Sequence, residues 1–274
     1  MRRSAIGAAA VLLGAGLVWA GEPQNAAGPG EVLRLNLRAR AEIFKGKGPV
    51  EVSSVLELPA GRTAIIVCDM WDDHWCRSAA KRCGELAARM APVLEAARRR
   101  GVRIIHAPSD CMDYYKDTPQ RRRMAELPKP ELPKPRDLPD PPLPVDTSDG
   151  GCDDDPPSKF RLAWTRQHAA LRIADEDFIT DKGDEVYALV KKEGLTHLFI
   201  MGVHTNMCVL HRTFAIKRMT RLGVNCVLVR DLTDSMYNPK AKPYVGHDEG
   251  TALIIGHIET HWCPTILSGD LSGR

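Results

Sequence analysis

The chain has 274 residues, 43% of them hydrophobic, and a formal net charge of +3. That is enough apolar material for one α/β domain with extensions, and so small a charge argues against a nucleic-acid or other polyanion partner. Eight cysteines without a CxxC pair exclude a zinc ribbon or a thioredoxin-type redox motif, while disulfides of unassigned pairing stay open.

Residues 1–20, "MRRSAIGAAAVLLGAGLVWA", run from two arginines through a short apolar stretch to small residues. That is the build of a secretory signal peptide, too short for a membrane span. The expected product is exported, periplasmic or extracellular, with no membrane attachment after cleavage. Losing Arg2 and Arg3, with no acidic residue beside them, takes the charge from +3 to +1. Residues 21–60 read as a linker followed by a strand or hairpin, "VLRLNLRARAEIF".

The main domain, 61–274, opens at "RTAIIVCDM", a continuous apolar run suited to a strand buried on both faces. Residues 79–100 place Cys83, Leu86, Ala87, Met90, Leu94 and Ala97 at helical spacing before Gly101, and strand "VRIIHAP" follows. This is a βαβ unit. An insertion then spans about 116–168, and ten of the twenty prolines fall between Leu127 and Pro157. Such spacing forbids helix and favours extended chain. The insertion is either a plain surface excursion or a lid over a site, and its acidic end offers Asp149, Asp153 and Asp155 as oxygen ligands without matching an EF-hand loop.

Regular structure returns with strand "DFITD", a helix over 184–193, strand "THLFIMGV", a helix over 206–222, strand "VNCVLVRD" and a helix over 248–261. The alternation predicts an α/β fold of three layers, α/β/α, around a mostly parallel, doubly wound sheet. Such sheets bind ligands at the carboxyl ends of their strands. The residues there are Asp69, Ser109 with Asp110, Asp181 with Lys182, the "HTNMC" turn and Asp231. A cysteine opening a helix feels the positive end of its dipole, which lowers the thiol pKa, and a nearby carboxylate supplies a general base. Cys226, in mid-strand, reads as a small hydrophobe.

"AIIVCDMWD" together with "GVHTNMCVL" resembles the isochorismatase-like cysteine hydrolases, the superfamily of nicotinamidases and related amidases, matching at Gly202, Val203, Thr205, Asn206, Cys208 and Val209. "CDMWDDHWC", "RDLTDSMYNP" and "HIETHWCPT" resemble an exported bacterial subgroup. The resemblance covers about 62–115 and 175–260. It implies Cys208 as nucleophile, Asp69 as base, and a cis peptide between Val203 and His204 that turns backbone N–H groups toward an oxyanion. It implies acyl transfer on a small amide or related C–N bond, through a thioester. The family's lysine has Lys182 as its nearest match, with Arg166 and Lys159 as alternatives in the insertion. Trp71, His74, Trp75, Asp110, Tyr114 and Asn206 are further pocket candidates, as are Tyr115 and Tyr237.

The histidines that hold a metal in nicotinamidases are missing from "SDCMDYY", so neither metal nor cofactor is expected. His74, His204 and His247 form one alternative metal set from separate loops. The expected partner is a small-molecule substrate, with a homo-oligomer as the superfamily's common assembly. Two other functions stay open: a vinyl-ether hydrolase of isochorismatase type, and a non-catalytic binding or assembly domain.

Overall fold

The computed structural model describes residues 30–273; the stretch read as a signal peptide, 1–20, and residues 21–29 of the linker lie outside the described residues. β1 (Val32–Ala41) and β2 (Val50–Pro59) form an antiparallel hairpin. A single 3-10 turn, Ala60–Arg62, leads into β3 (Thr63–Cys68), followed by α1 (Arg77–Arg99) and β4 (Arg103–Ala107). The short helices α2 (Met112–Tyr115) and α3 (Pro119–Ala125) precede β5 (Phe178–Ile179), α4 (Gly183–Glu193) and β6 (His197–Val203). The chain ends with α5 (Cys208–His211), α6 (Ile216–Arg221), β7 (Asn225–Asp234), α7 (His247–His261), β8 (Thr265–Ile266) and α8 (Gly269–Ser272).

Eight strands make one sheet in the order β2-β1-β8-β7-β6-β3-β4-β5. The six from β8 to β5 run parallel, and the hairpin joins antiparallel through Arg38 opposite Thr265. The hairpin therefore extends the domain's own sheet rather than standing ahead of it. All six residues of β3 are buried, and alternate ones feed opposite cores, as a period of two requires. Ala64, Ile66 and Cys68 pack with residues of α4, α6 and α7. Ile65 and Val67 pack on the other face with Cys83, Leu86, Met90 and Leu94 of α1. The result is the three-layer α/β/α arrangement, with the parallel strands wrapped on both faces.

Two elements differ from their sequence reading. The helix expected over 206–222 is split in two, because Arg212 takes ψ 153 and ends α5 after a single turn. The expected strand "DFITD" is reduced to Phe178–Ile179. The proline-rich segment is chiefly a strap. Its Leu132, Leu138 and Leu143 pack against the core cluster of the α6–α7 side. Asp140 accepts from Lys217 Nζ at 2.6 Å and Arg221 Nη2 at 3.2 Å.

Past the strap the chain crosses to the loop between β3 and α1. Cys152 forms a disulfide with Cys76, Cα–Cα 5.8 Å. Cys76 has no side-chain cap to offer α1, and Asp154 performs that task from the insertion, accepting from the Arg77 and Ser78 N–H groups at 2.8 and 2.9 Å.

Candidate functional site

Asp69 follows β3 directly, with φ 48 in the left-handed region, and is fully buried. Opposite Cys68 in the partner strand β6 stands its penultimate residue, Gly202, φ 121, where a Cβ would collide with the Cys68 carbonyl oxygen. Only glycine lets the two strand ends approach so closely. That approach brings the turn after β6 beside Asp69. Val203–His204 is a cis peptide, and Cys208 is the first residue of α5.

Asp69 accepts from the Ser109 N–H at 2.7 Å through Oδ1 and from Arg212 Nε at 2.9 Å through Oδ2. Cys208 shares a side-chain hydrogen bond with the same carboxylate, and the His204 backbone N–H also faces its sulfur. Arg212 reaches on with Nη2 to Asp110 Oδ2 at 3.2 Å. A sulfur, two carboxylates and one guanidinium thus meet at the carboxyl edge of β3, β4 and β6.

Burial pushes the Cys208 thiol well up, and the adjacent Asp69 charge pushes it further, while Arg212 pulls it back only in part. Burial also raises the Asp69 carboxyl, opposed by Arg212 and by the bonds from Cys208 and Ser109. This reverses the expectation of a thiol acidified by a helix start. A four-residue helix has almost no dipole to offer, whereas desolvation disfavours the thiolate strongly. At rest the pair is a thiol bonded to a carboxylate.

One wall of the site is aromatic. Trp164 stacks on Trp71 with centroids 4.2 Å apart and on His74 at 5.6 Å, each within 13° of parallel. His74 meets His204 edge-on at 4.9 Å. Burial holds His74 down to about 4 and His204 to about 3, so both rings are neutral. Trp164 and Cys208 pack against the same small cluster of Trp71, Cys111, Tyr115 and Ile179. Among the described residues, Trp164 Nε1 and His204 Nε2 are buried without a hydrogen-bond partner.

Solved structures with this architecture include a cysteine hydrolase from Pseudomonas syringae pv. phaseolicola 1448A, 15% identical, covering 79% of this chain and 93% of its own, with a TM-score of 0.50. An isochorismatase from Pseudomonas putida KT2440 is 13% identical over 77% of this chain and 91% of its own, TM-score 0.47. The fold is the isochorismatase-like α/β fold. No protein-family model matches the chain, and no curated protein matches it by sequence. Likeness at 15% identity carries the architecture; the chemistry has to come from the residues.

Among the residues singled out from sequence, Asp69, Cys208, Val203, His204 and Asp110 converge. Lys182 does not join them. It precedes α4 with its side chain largely exposed, and its ammonium lies 3.9 Å from Glu185. The cation bonded to Asp69 is Arg212. Arg166 pairs with Asp72 at 3.8 Å and donates to Tyr114 Oη at 3.0 Å, so these two brace the insertion on the surface. Lys159, also in the insertion, is exposed. Trp71 and His74 line the aromatic wall, while Trp75 packs with the disulfide, Ala79 and Met236.

Asn206 is buried and grips the Met236 backbone with both ends of its amide, each bond 2.9 Å, pinning the turn to the end of β7. Tyr115 donates no wall to solvent either: its oxygen accepts from the Gln167 N–H at 2.9 Å. Tyr237 is buried and donates to the Ala241 carbonyl.

The candidate metal sets are drawn into other bonds. Asp153 holds Arg82 at 2.8 Å, Asp155 holds Lys240 at 3.3 Å, and Asp149 accepts from Asn238. His247 spends both ring nitrogens on Asp234 and the Tyr237 carbonyl, each at 2.9 Å. Cys76, Cys152 and Asp154 place three ligand atoms within 4.8 Å, but the two sulfurs are bonded to each other.

Sequence reasoning missed Arg212 and Trp164. Arg212 had a signal: it stands four residues after Cys208, which on a helical turn puts both on one face. Trp164 had none, since only the fold returns the insertion to Trp71.

Proposed function

We propose that this protein is an exported cysteine hydrolase that cleaves an amide or related C–N bond of a small, uncharged molecule. The observation that carries the reading is the juxtaposition of the Cys208 thiol with the fully buried carboxyl group of Asp69, which the Ser109 N–H and Arg212 Nε hold in place. A thiol placed next to a buried base is the arrangement nucleophilic catalysis needs.

In the proposed sequence Asp69 takes the thiol proton as Cys208 sulfur bonds to the carbonyl carbon, giving a tetrahedral oxyanion. Backbone N–H groups of the turn, with that of Cys208 among them, receive the oxyanion. The C–N bond then breaks, the leaving nitrogen takes the proton from Asp69, and a thioester remains. Water attacks the thioester while Asp69 accepts its proton. Collapse returns that proton to sulfur and releases the acid. Because the thiol rests protonated, Asp69 acts by concerted general-base catalysis.

The uncharged substrate follows from electrostatics. Asp69, Asp110 and Arg212, which bond one another beside the sulfur, sum to −1. An anionic ligand would meet net repulsion there, screened in part by solvent because the Asp110 side chain is exposed. This disfavours the vinyl-ether alternative, whose substrate isochorismate carries carboxylates. The signal-like residues 1–20 and the Cys76–Cys152 disulfide support export, since disulfides persist in oxidising compartments.

The test is a panel of small neutral amides given to the mature protein, with intact-mass spectrometry to catch an acyl adduct on Cys208. Hydrolysis should vanish in Cys208→Ala and fall at least 100-fold in Asp69→Asn, and iodoacetamide labelling of Cys208 should slow in Asp69→Asn. Equal labelling in both forms, or hydrolysis that survives Cys208→Ala, would refute the assignment and favour a binding domain.

A further inference from the structure

We propose that Arg212 is the positioning cation of this site: its planar fork holds the base Asp69 in the orientation that receives the Cys208 proton, with Asp110 as the second anchor of the fork. The inference rests on the reading of Cys208 and Asp69 as nucleophile and base.

The geometry is specific to arginine. Nε donates to Asp69 Oδ2 at 2.9 Å while Nη2 of the same plane donates to Asp110 Oδ2 at 3.2 Å. Asp69 Oδ1 is taken by the Ser109 N–H at 2.7 Å, so the carboxylate is fixed from both sides. A lysine ammonium on a flexible stem could meet one carboxylate but could not reproduce the fork. The anchor itself is held in an unusual backbone state, Asp110 having φ 64 in the left-handed region. Arg212 stays on the helical turn, with φ −58 and its N–H donated to the Cys208 carbonyl at 3.0 Å, so its side chain leaves on the same face as Cys208; the break at ψ 153 redirects only the chain that follows. Lys182, facing Glu185 at the surface, supplies no second cation to Asp69.

Charge follows from the same contacts. Arginine keeps its proton at every pH of interest, so the site holds a permanent positive charge against Asp69. Removing it raises the carboxyl pKa and leaves less ionised base at a given pH. The other titratable groups coupled to Cys208, Asp69 or Arg212 are Cys68 on β3, Cys83 on α1, and Asp110 and Cys111 after β4, with Asp72 before α1 and Asp181 after β5 acting on Cys111 in turn. Burial raises all three of those thiols, so they stay neutral, and the carboxylates among the six add only negative charge. None of them can replace Arg212.

The experiment follows iodoacetamide labelling of Cys208 in the mature protein between pH 4 and 9, read by peptide mass spectrometry, for wild type, Asp69→Asn, Arg212→Gln and Arg212→Lys. Wild type should show an acid limb that Asp69→Asn abolishes. Arg212→Gln should move that limb up by a pH unit or more and slow labelling at pH 7 at least tenfold. Arg212→Lys keeps the charge but not the fork, so its limb should stay within half a unit of wild type while the rate at pH 7 falls at least fivefold. A merely structural arginine would leave the limb in place in both variants. The inference is overturned if Arg212→Gln, or Arg212→Lys where the glutamine variant fails to fold, labels with the wild-type limb and rate. If Asp69→Asn changes the labelling and Arg212 variants do not, only the inference falls; if Asp69→Asn changes nothing, the functional reading falls with it.

Discussion

Replacing Cys76 and Cys152 together by serine should lower the unfolding free energy by up to about 4.5 kcal/mol. The two cysteines are 76 residues apart, and closing a loop of that size removes unfolded-state entropy worth roughly 4.5 kcal/mol on the chain-entropy account. The native contacts of the crossing do not depend on the bond alone. Asp153 holds Arg82 in a two-pronged ion pair, at 2.8 and 3.2 Å, and Asp154 caps α1. The double variant should therefore keep its folded state and its Cys208 labelling rate, and lose stability through the unfolded chain. Urea titration followed by tryptophan fluorescence reads the difference, with wild type measured oxidised and after mild reduction. Coincident midpoints for all three samples would refute the argument, and so would a loss of Cys208 reactivity at full native signal.

Asp154→Ala should cost about 1–2 kcal/mol at neutral pH, the usual value of a lost N-cap, read from the same urea titration. Burial opposes the Asp154 charge, but bonds from Ser158, Ser78 and Arg77 prevail and hold its carboxyl below the ordinary 3.8. A depressed folded pKa contributes stability that is complete above the unfolded pKa and is lost as the pH falls through the folded one, so the wild-type advantage should start to shrink as the pH falls past the ordinary 3.8 and close only at strongly acid pH, below the depressed value. Trp164→Ala removes two ring contacts, each worth roughly 0.5–1.5 kcal/mol, and uncovers the cluster shared with Cys208. Labelling of Cys208 should accelerate severalfold at pH 7; an unchanged rate would mean that the ring does not cover the sulfur.

The strand ends were legible because chemistry in a parallel sheet follows from chain order. A buried run stops at Asp69, another stops at a glycine before Cys208, and adjacent parallel strands bring those ends together without further information. The cation had only a partial signal, because spacing of four after Cys208 marks a shared face but does not say which carboxylate that face meets. Arg212 keeps helical φ, −58, and bonds the Cys208 carbonyl, so it shares the Cys208 face; only the fold brings that face against Asp69. Lys182 failed for the related reason that its side chain, at the start of α4, faces Glu185 rather than the sheet edge. Disulfide pairing was beyond reach because eight cysteines admit 105 full pairings, and only the return of the insertion to the β3–α1 loop selects Cys76 with Cys152.

The acidity of Cys208 was misjudged from sequence in an instructive way, and the correction bears on where such an enzyme can work. A helix start argues for a standing thiolate, the species most prone to oxidation. Burial and the neighbouring Asp69 instead keep the sulfur protonated, with Trp164 packed against the cluster it shares. On the proposed mechanism, a thiol that ionises only as its proton passes to Asp69 during attack would be nucleophilic when a carbonyl lies beside it and unreactive at rest. That property, rather than a low pKa, is what the proposed nucleophile would need in the oxidising compartment proposed for this protein.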